Sequence, residues 1–553
     1  MKYFQIKLMT LAVLISLITC LKIYSADEDW VERYNGPGNG TDIPYSMAVD
    51  FSGNVYITGE SRGNISSGID YVNIKYNPSG EQQWVMRYDG PAHGEDFPNS
   101  IAVDGLGNVY VTGSSVGVGT SSDFATISYN SSGVVRWIKR YNSSTNESDA
   151  ARSMAIDGFG NVYVTGTSFI TGNGWDYATI KYSSSGIQMW TFAVRYNGSA
   201  SKNDQAVSIA IDNSSNAYVT GTEEGSGDFS YYTTVKYNSS GVQQWVKKFN
   251  GAGNGNDKAS AIAVDALSNV YVTGSSLGSG TADYDFATIK YNSNGDILWW
   301  DDYNGTQNDD DEAKFIAVDV SGNVYVTGIS EGTGTFDDYL TIKYNLSGIQ
   351  EWESRYNGSL NSYDVPKAQA IDGSGNVYIT GYSYDNYRVD YATIKYNAGG
   401  VQQWIQSYNG PGNNLDVAFS IALDGSGNVF VTGGSQSSNT IGSEDIATIK
   451  YIHTNVGVNP VSSEVPDNFS LSQNYPNPFN PSTKIKFQIK ESGIVTLSVF
   501  DMLGKEVATI VNEKLKAGSY EETFDGTGLT SGVYFYKLQT DGFIETKRMT
   551  LVK

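Results

Sequence analysis

Along most of the chain the apolar residues fall in short β-prone runs separated by Gly, Asn, Asp and Ser, and the runs return in sets of four. In the first full set they are Tyr45–Val49, Asn54–Thr58, Tyr71–Tyr76 and Gln83–Tyr88, named strands A to D. Alternation of apolar and polar positions within them is weak, as expected of a sheet packed on both faces. A Tyr-Asn-x-x-Gly turn, as at Tyr76 to Gly80, joins C to D as a tight hairpin, its glycine supplying the positive φ. Strand B carries Asn-Val-Tyr-Val-Thr-Gly, whose asparagine stands at Asn54, Asn108, Asn161, Asn216, Asn269, Asn323, Asn376 and Asn428, a spacing of 52 to 55 residues. Four-stranded sheets repeated in this way predict a propeller, because a parallel β-helix usually has a far shorter period.

The strand count fixes how the ring closes. A strand-D tryptophan occurs at Trp30, Trp84, Trp137, Trp190, Trp245, Trp299, Trp352 and Trp404, but the first precedes any strand A, and the last A-B-C set, ending at Tyr451, has no D after it. Trp30–Tyr34 is therefore expected to complete the last blade, giving an all-β, eight-bladed propeller of four-stranded blades. Alanine recurs two residues before the aspartate that ends strand A, from Ala48 to Ala422, where eight sheets converge on the axis and a larger side chain would overpack. In blade three Trp190 and Tyr196 are two residues further apart than their counterparts, which suggests a β-bulge. Beyond the propeller the composition shifts, and strands are read at Lys484–Lys490, Ile494–Phe500, Lys505–Val511, Ser519–Phe524, Val533–Gln539 and Ile544–Val552, spaced as in a small Ig-like β-sandwich.

Composition adds location. Gly 61, Tyr 40 and Trp 10 with only 17% charged residues describe a turn-rich, aromatic β protein. Residues 1–25 have Lys2 and Lys7, an apolar run Leu8–Leu21 and a small residue at Ser25 or Ala26, the layout of a secretory signal peptide and too short to span a bilayer. No later segment spans a membrane. The single cysteine, Cys20, lies inside that signal behind a poor lipobox, so the mature chain has no thiol or disulfide. Formal charge is −23, and −26 once Lys2, Lys7 and Lys22 leave with the signal, which argues against nucleic acid and anionic membrane as partners. The domains are residues 1–25 as signal, 26–454 as propeller, 455–465 as linker and 466–553 as C-terminal domain.

The unit Asp-x-x-Gly-Asn-Val-Tyr-Val-Thr-Gly, followed by Asp-Tyr-Ala-Thr-Ile-Lys-Tyr-Asn and Gln-Gln-Trp, resembles the bacterial β-propeller repeat called SBBP, which implies a fold and no defined activity. The run Asn474-Tyr475-Pro476-Asn477-Pro478-Phe479-Asn480-Pro481 resembles the opening of the type A C-terminal sorting domain of the type IX secretion system. Later matches are Val499 to Val507, Leu529 to Tyr536 and Lys547-Arg548-Met549. That resemblance implies passage through the periplasm and then across the outer membrane, with the secretion machinery as partner and a secreted or cell-surface destination.

Candidate chemistry lies in the repeats. One aspartate ends each strand A (Asp50, Asp104, Asp157, Asp212, Asp265, Asp319, Asp372, Asp424) and is placed to bond turn amides. Another precedes it by eight residues, at Asp42, Asp96, Asp149, Asp204, Asp257, Asp311, Asp364 and Asp416. These are read as turn braces, with Ca²⁺ ligation as the alternative and no other cofactor implied. The strand-C Asp and Lys, as in Asp70 and Lys75 or Asp176 and Lys181, are read as inter-blade pairs. B-to-C loops vary in length, and with the D-to-A loops they form the face on which Phe169, Trp175, Phe229, Tyr382, Tyr384, Tyr387 and Arg388 break the repeat. Such a group suits a glycan or protein ligand on a monomeric binding or adhesion module. Only His93 and His453 are present after the signal and no nucleophile or phosphate-loop motif accompanies them, so no residue is assigned as catalytic and enzymatic activity stays open. A carboxylate-pair hydrolase or lyase is the alternative, with Glu95, Glu223, Glu224, Asp309, Asp310 and Glu312 to test first.

Overall fold

The computed structural model describes residues 25–63, 68–227, 229–278, 283–385, 388–438, 443–454, 466–502, 504, 506–526, 529–540 and 542–552. The expected signal, up to residue 24, and the linker at 455–465 lie outside them. The chain divides into two compact units, one spanning Glu28–Ile452 and the other built on His453–Lys553.

The first unit consists of eight four-stranded antiparallel sheets in sequence. Blade 1 runs Asp42–Val49, Val55–Arg62, Ile69–Tyr76 and Gln82–Tyr88, and the following six repeat it. In the eighth, Asp416–Leu423, Val429–Gln436 and Glu444–Thr454 are completed by the N-terminal strand Ser25–Tyr34, as the strand count required. Every strand A carries one bulged residue, at Tyr45 in blade 1 and Phe419 in blade 8. Strand D of blade 3 differs from expectation. The two-residue insertion does not bulge a continuous strand but breaks it, leaving Val194–Tyr196 as the paired segment and a single bridge from Tyr182 to Gln188.

Blades are joined by one repeated contact. The strand-D tryptophan lies between the strand-B aromatic of its own blade and the tyrosine that ends strand C of the next. Trp84 sits 6.1 Å from Tyr56 and 6.2 Å from Tyr129, and Trp30 sits 6.1 Å from Phe430 and 6.0 Å from Tyr76, centroid to centroid. Among the described residues seven indoles donate from Nε1 to a carbonyl in the next C–D hairpin, at Pro78, Ser131, Ser184, Ser239, Ser293, Leu346 and Ala398, over 3.0–3.3 Å. The ring also covers the hairpin glycine. At Gly80, Gly133, Gly186, Gly241, Gly295, Gly348 and Gly400, φ is +80 to +87° and an added Cβ would stand 2.6–3.0 Å from the indole. Positive φ and the covering ring both demand glycine there.

The strand-C lysine reaches the same carbonyl. Lys75, Lys181, Lys236, Lys290, Lys343 and Lys450 donate to it over 2.9–3.3 Å, while Lys75 lies 5.0 Å over the Tyr56 ring. The lysine half of the expected inter-blade pairing is thus present. The aspartate half is not: Asp70, Asp123, Asp176, Asp338 and Asp445 pair with a strand-D arginine of their own blade, because that side chain starts one strand away in the same sheet.

In the second unit a three-stranded sheet (Ser470–Leu471, Ser482–Ile489, Gly518–Asp525) faces a four-stranded one ordered Glu506–Leu515, Gly493–Phe500, Gly532–Thr540, Phe543–Leu551. Ile485, Phe487, Leu497, Val499, Tyr536, Leu538 and Met549 are among the side chains filling the core between them. The Asn474–Pro481 run is tied into this sandwich. Buried Asn474 donates from its backbone to Tyr536 Oη (2.8 Å) and from Nδ2 to Thr483 Oγ1 (2.9 Å), and Phe479 enters the core while its amide joins Thr550.

Gly334 and Gly348 lie in the same blade with φ of +79 and +81°, but an added Cβ meets nothing at Gly334 and the Trp299 ring at Gly348. Gly334→Ala is expected to cost about 1 kcal/mol for the backbone alone, and Gly348→Ala about 1–3 kcal/mol more for the displaced indole. Equal losses in denaturant melts would show that the indole contact does not join the blades.

Candidate functional site

The D-to-A turns and the B-to-C loops share one face, and the repeated aspartates at the start of strand A hold its rim. All eight accept a hydrogen bond on Oδ2 from the backbone amide six residues earlier: Asp42 from Gly36, Asp96 from Gly90, Asp149 from Ser143, Asp204 from Gly198, Asp257 from Gly251, Asp311 from Gly305, Asp364 from Gly358 and Asp416 from Gly410, over 2.5–3.0 Å. Beside them runs a belt of charge. In five blades the strand-D arginine donates to a strand-B serine and to the strand-C aspartate. Arg140, for example, reaches Ser115 O at 2.7 Å, Asp123 Oδ2 at 2.8 Å and the Tyr88 hydroxyl of the preceding blade at 3.0 Å. Blade 4 moves the acid to strand B, where buried Glu223 meets Lys248 at 2.6 Å and Tyr196 at 2.7 Å.

Burial pushes the carboxyls of this set up. Asp42 rises to about 6, and Asp204, which faces Glu223 as well, to about 7. Five of the aspartates that end strand A behave oppositely. Burial raises them, but the Asn side chain and amides of their turn outweigh it and hold Asp104, Asp157, Asp212, Asp319 and Asp372 below the usual range. Asp50 shows the turn geometry: Oδ1 accepts from the amides of Ser52 and Asn54, and Oδ2 from Asn54 Nδ2 and the Tyr56 hydroxyl.

The aromatic candidates separate into three places. Trp175 packs edge-on against Phe169 at 5.4 Å in blade 3, its amide bonded to Asn203. Phe229, half exposed, lines a pocket of about 590 Å³ between blades 4 and 5 with Lys202, Asn203, Glu224 and Lys258. Tyr382 and Tyr384 come together in blade 7, 6.0 Å apart, and are joined by two residues the sequence reading missed. Tyr363 stands 6.2 Å from Tyr384, and Phe336 of blade 6 stacks on Tyr363 at 4.6 Å. Lys367 Nζ lies 5.5 Å from the Tyr382 centroid. Phe336, Tyr363 and Tyr384 are exposed, so the four rings form an open strip across two blades. Arg388 is exposed at the start of strand C of blade 7, and Tyr387 lies outside the described residues. The available signal was an aromatic residue at a loop position that most other repeats fill with a polar residue or glycine: Phe336 aligns with Gly68, Ser121 and Asp283, and Tyr363 with Thr41, Glu95 and Asn256.

Of the acids that break the repeat, Glu223 is committed to Lys248, Glu224 bonds Asn203, Asp310 accepts the Tyr284 amide and Glu312 pairs with Lys314. Asp70, Asp89 and Asp96 bring carboxylate oxygens within 4.8 Å of one another, yet Arg87 holds Asp70 and His93 holds Asp89.

A family model described as a beta-propeller repeat, SBBP, matches residues 29–66, 87–118, 136–174, 194–222 and 244–280, and one described as a secretion system C-terminal sorting domain matches 473–552. The chain carries an SBBP propeller and a type IX sorting domain. No curated protein matches it. Among solved structures it is similar to PorZ, a surface component of the type IX secretion system of Porphyromonas gingivalis, at 12% identity over 93% of this chain and 74% of that one, with a TM-score of 0.32. It is also similar to Sqt1 of Chaetomium thermophilum (8% identity, 77% and 100%, TM-score 0.45) and to an ulvan lyase of polysaccharide lyase family PL25 (10%, 75% and 95%, TM-score 0.39). At these identities the likeness is one of fold. No helix among the described residues is long and apolar enough to cross a membrane.

The SBBP propeller should respond to pH through both aspartate sets. Asp42 and Asp204 hold protons in the folded state that the unfolded chain has released above about pH 4. Their contribution is full below that pH and is lost as pH rises through 6 to 7. Asp104, Asp157, Asp212, Asp319 and Asp372 contribute above about pH 4, and that contribution is lost as pH falls below it. The melting temperature is expected to fall by a few degrees between pH 5 and pH 8, and Asp204→Asn should reduce that slope. A slope unchanged in the variant would assign it to net charge instead.

Proposed function

We propose that the protein is a surface-displayed binding or adhesion module whose ligand, a glycan or a protein, is taken by the loop face of the propeller. The observation that carries this reading is the exposed strip Phe336–Tyr363–Tyr384–Tyr382 with Lys367 beside it. Flat aromatic faces in a row suit the apolar faces of successive sugar rings or an extended chain of a partner protein, and the ammonium adds polar recognition. The breaking of eightfold symmetry supports it too, since the strip is confined to blades 6 and 7 and the Phe229 pocket to blades 4 and 5. The eight rim aspartates act on this reading as turn braces. Chelation of Ca²⁺ should change the melting temperature only slightly, and a large drop reversed by added Ca²⁺ would make them metal ligands instead. The alternative, a carbohydrate-active hydrolase or lyase on the same scaffold, calls for a free pair of acids, whereas the rim aspartates of this face brace turns and Glu223 is held in an ion pair.

A glycan and protein array with the mature chain would identify the ligand. Tyr384→Ala and Phe336→Ala are expected to weaken its capture about tenfold or more with the melting temperature kept. Capture unaffected by both variants would remove the strip from the site.

The address follows from the sorting domain and the expected signal. A chain ending at Thr454 contains every propeller strand, so it should cross the inner membrane, fold and stay soluble in the periplasm while the full chain reaches the surface or medium. Truncated protein in the medium without lysis would contradict the sorting role, and an insoluble truncated form would mean that the sandwich also supports the propeller.

A further inference from the structure

The strand-D cation of the charge belt is absent from two blades: in blade 7 a neutral residue, Ser407, stands opposite Ala392, whereas in blade 5 an acid takes the place. In blades 1, 2, 3, 6 and 8 the strand-D guanidinium of Arg87, Arg140, Arg195, Arg355 or Arg33 lies between the strand-B serine and the strand-C aspartate. Blade 5 keeps both acceptors in the same register. Ser276 stands opposite Asp285 as Ser115 stands opposite Asp123, but the residue opposite Ala287 is Asp302, where Arg140 stands opposite Ala125. The change is therefore from a long cation to a short anion in the middle of an acceptor set built for a cation.

Three further differences accompany it. Asp285, 4% exposed, is buried like its counterparts and its Oδ1 lacks a hydrogen-bond partner among the described residues as theirs do, but where Asp70, Asp123, Asp176 and Asp338 each pair with an arginine, no described cation pairs with Asp285. Ser276 Oγ, which in the sister blades receives the guanidinium, has none to receive here and donates to Asp257 Oδ1 at 2.5 Å. Phe249 of blade 4 stands where Tyr88 and Tyr141 give a hydroxyl to the next blade's arginine, and Trp300, 45% exposed, packs on it at 5.5 Å. Trp300 and Asp302 are two residues apart on one side of strand D, so an aromatic face and an exposed carboxylate border the approach to Asp285.

We propose that this position of blade 5 is a receptor for a guanidinium, the side chain of an arginine presented by a partner polypeptide. The acceptors retained from the sister blades suit a planar fork: a carboxylate beside a serine, with a ring alongside. Asp302 adds a second carboxylate in place of the internal cation, and Trp300 offers a face for cation–π stacking. Burial together with Asp302, Asp311 and Asp283 pushes the Asp285 carboxyl up to about 6, the response of an acid grouped with acids, and an arriving cation reverses that balance. A bare metal ion fits less well. The described residues that bring three carboxylate oxygens within 4.8 Å are at Asp70, Asp89 and Asp96 in blades 1 and 2, not here. The receptor is independent of the aromatic strip on blades 6 and 7, and either stands without the other.

The test uses the mature chain and L-argininamide as probe. At fixed ionic strength, tens of millimolar L-argininamide should raise the melting temperature by about 2 °C relative to NaCl, and L-lysinamide, which has the charge without the fork, should raise it less. Asp302→Arg supplies the guanidinium internally, so the variant should melt higher than the parent and lose the response to argininamide. Asp302→Ala, which folds without requiring a new side chain to fit, should weaken the response severalfold. No response in the parent chain overturns the proposal, as does an equal response in both variants. Stabilisation by millimolar Ca²⁺ in place of argininamide would also overturn it, making the position a metal site.

Discussion

The propeller depends on an indole laid over the glycine of its neighbour's hairpin. A four-stranded sheet has two faces to bury and cannot stand alone. Each blade meets the need by sending its outermost tryptophan across to the next, where the ring covers a residue that has no side chain and bonds a carbonyl left outside the strand ladder. The strand-C lysine bonds the same carbonyl from its own blade and stacks on the strand-B tyrosine, so one acceptor ties two donors of one blade to the next. Every blade gives and receives the aromatic part of this contact, Trp404 of blade 7 packing on Tyr451 of blade 8 at 6.4 Å, and the last blade gives the whole of it to the first. Trp30, on the N-terminal strand, makes that final contact at Pro78.

The second constraint is electrostatic. A chain of net charge −23 places buried carboxylates at every blade junction, and these are stabilised by turn amides, serines and a strand-D cation rather than by solvent. The pattern tolerates substitution when charge is kept, as where Lys248 and Glu223 replace the usual pair in blade 4. The cation is lost in blade 7, where Ser407 takes its position, and replaced by an acid in blade 5. Symmetric blades provide the scaffold, and departures from symmetry at Phe229, at the Phe336–Tyr384 strip and at Asp302 provide surfaces that single out one direction around the ring.

Much of this was legible in the sequence because repetition turns one chain into eight observations of the same constraint. The blade number, the closing strand and the C-terminal sandwich follow from counting Asn-Val-Tyr, Trp and short strands. What was not legible depends on contacts between repeats. Nothing in the spacing of Asp70 and Arg87 distinguishes pairing within a blade from pairing across one, and Phe336 and Tyr363 join Tyr384 through a blade junction rather than a motif. The bulge in each strand A escaped because it occurs in every copy, so no repeat stands out. The blade 3 insertion was visible, but whether an extra pair of residues bulges a strand or breaks it is decided by the neighbouring Trp190, which keeps its seat over Gly241 while the chain between it and Val194 leaves the ladder.

The claim that a closed cycle of such contacts holds the fold is tested most directly by comparing two short deletions in the mature chain. One removes Trp30–Tyr34, taking away the contact that joins blade 8 to blade 1 and exposing a sheet edge. The other removes five residues from within 455–465. The account predicts that the first variant melts far below the parent and aggregates, while the second melts with it. Equal melting temperatures would mean that the ring is held by something other than the cycle.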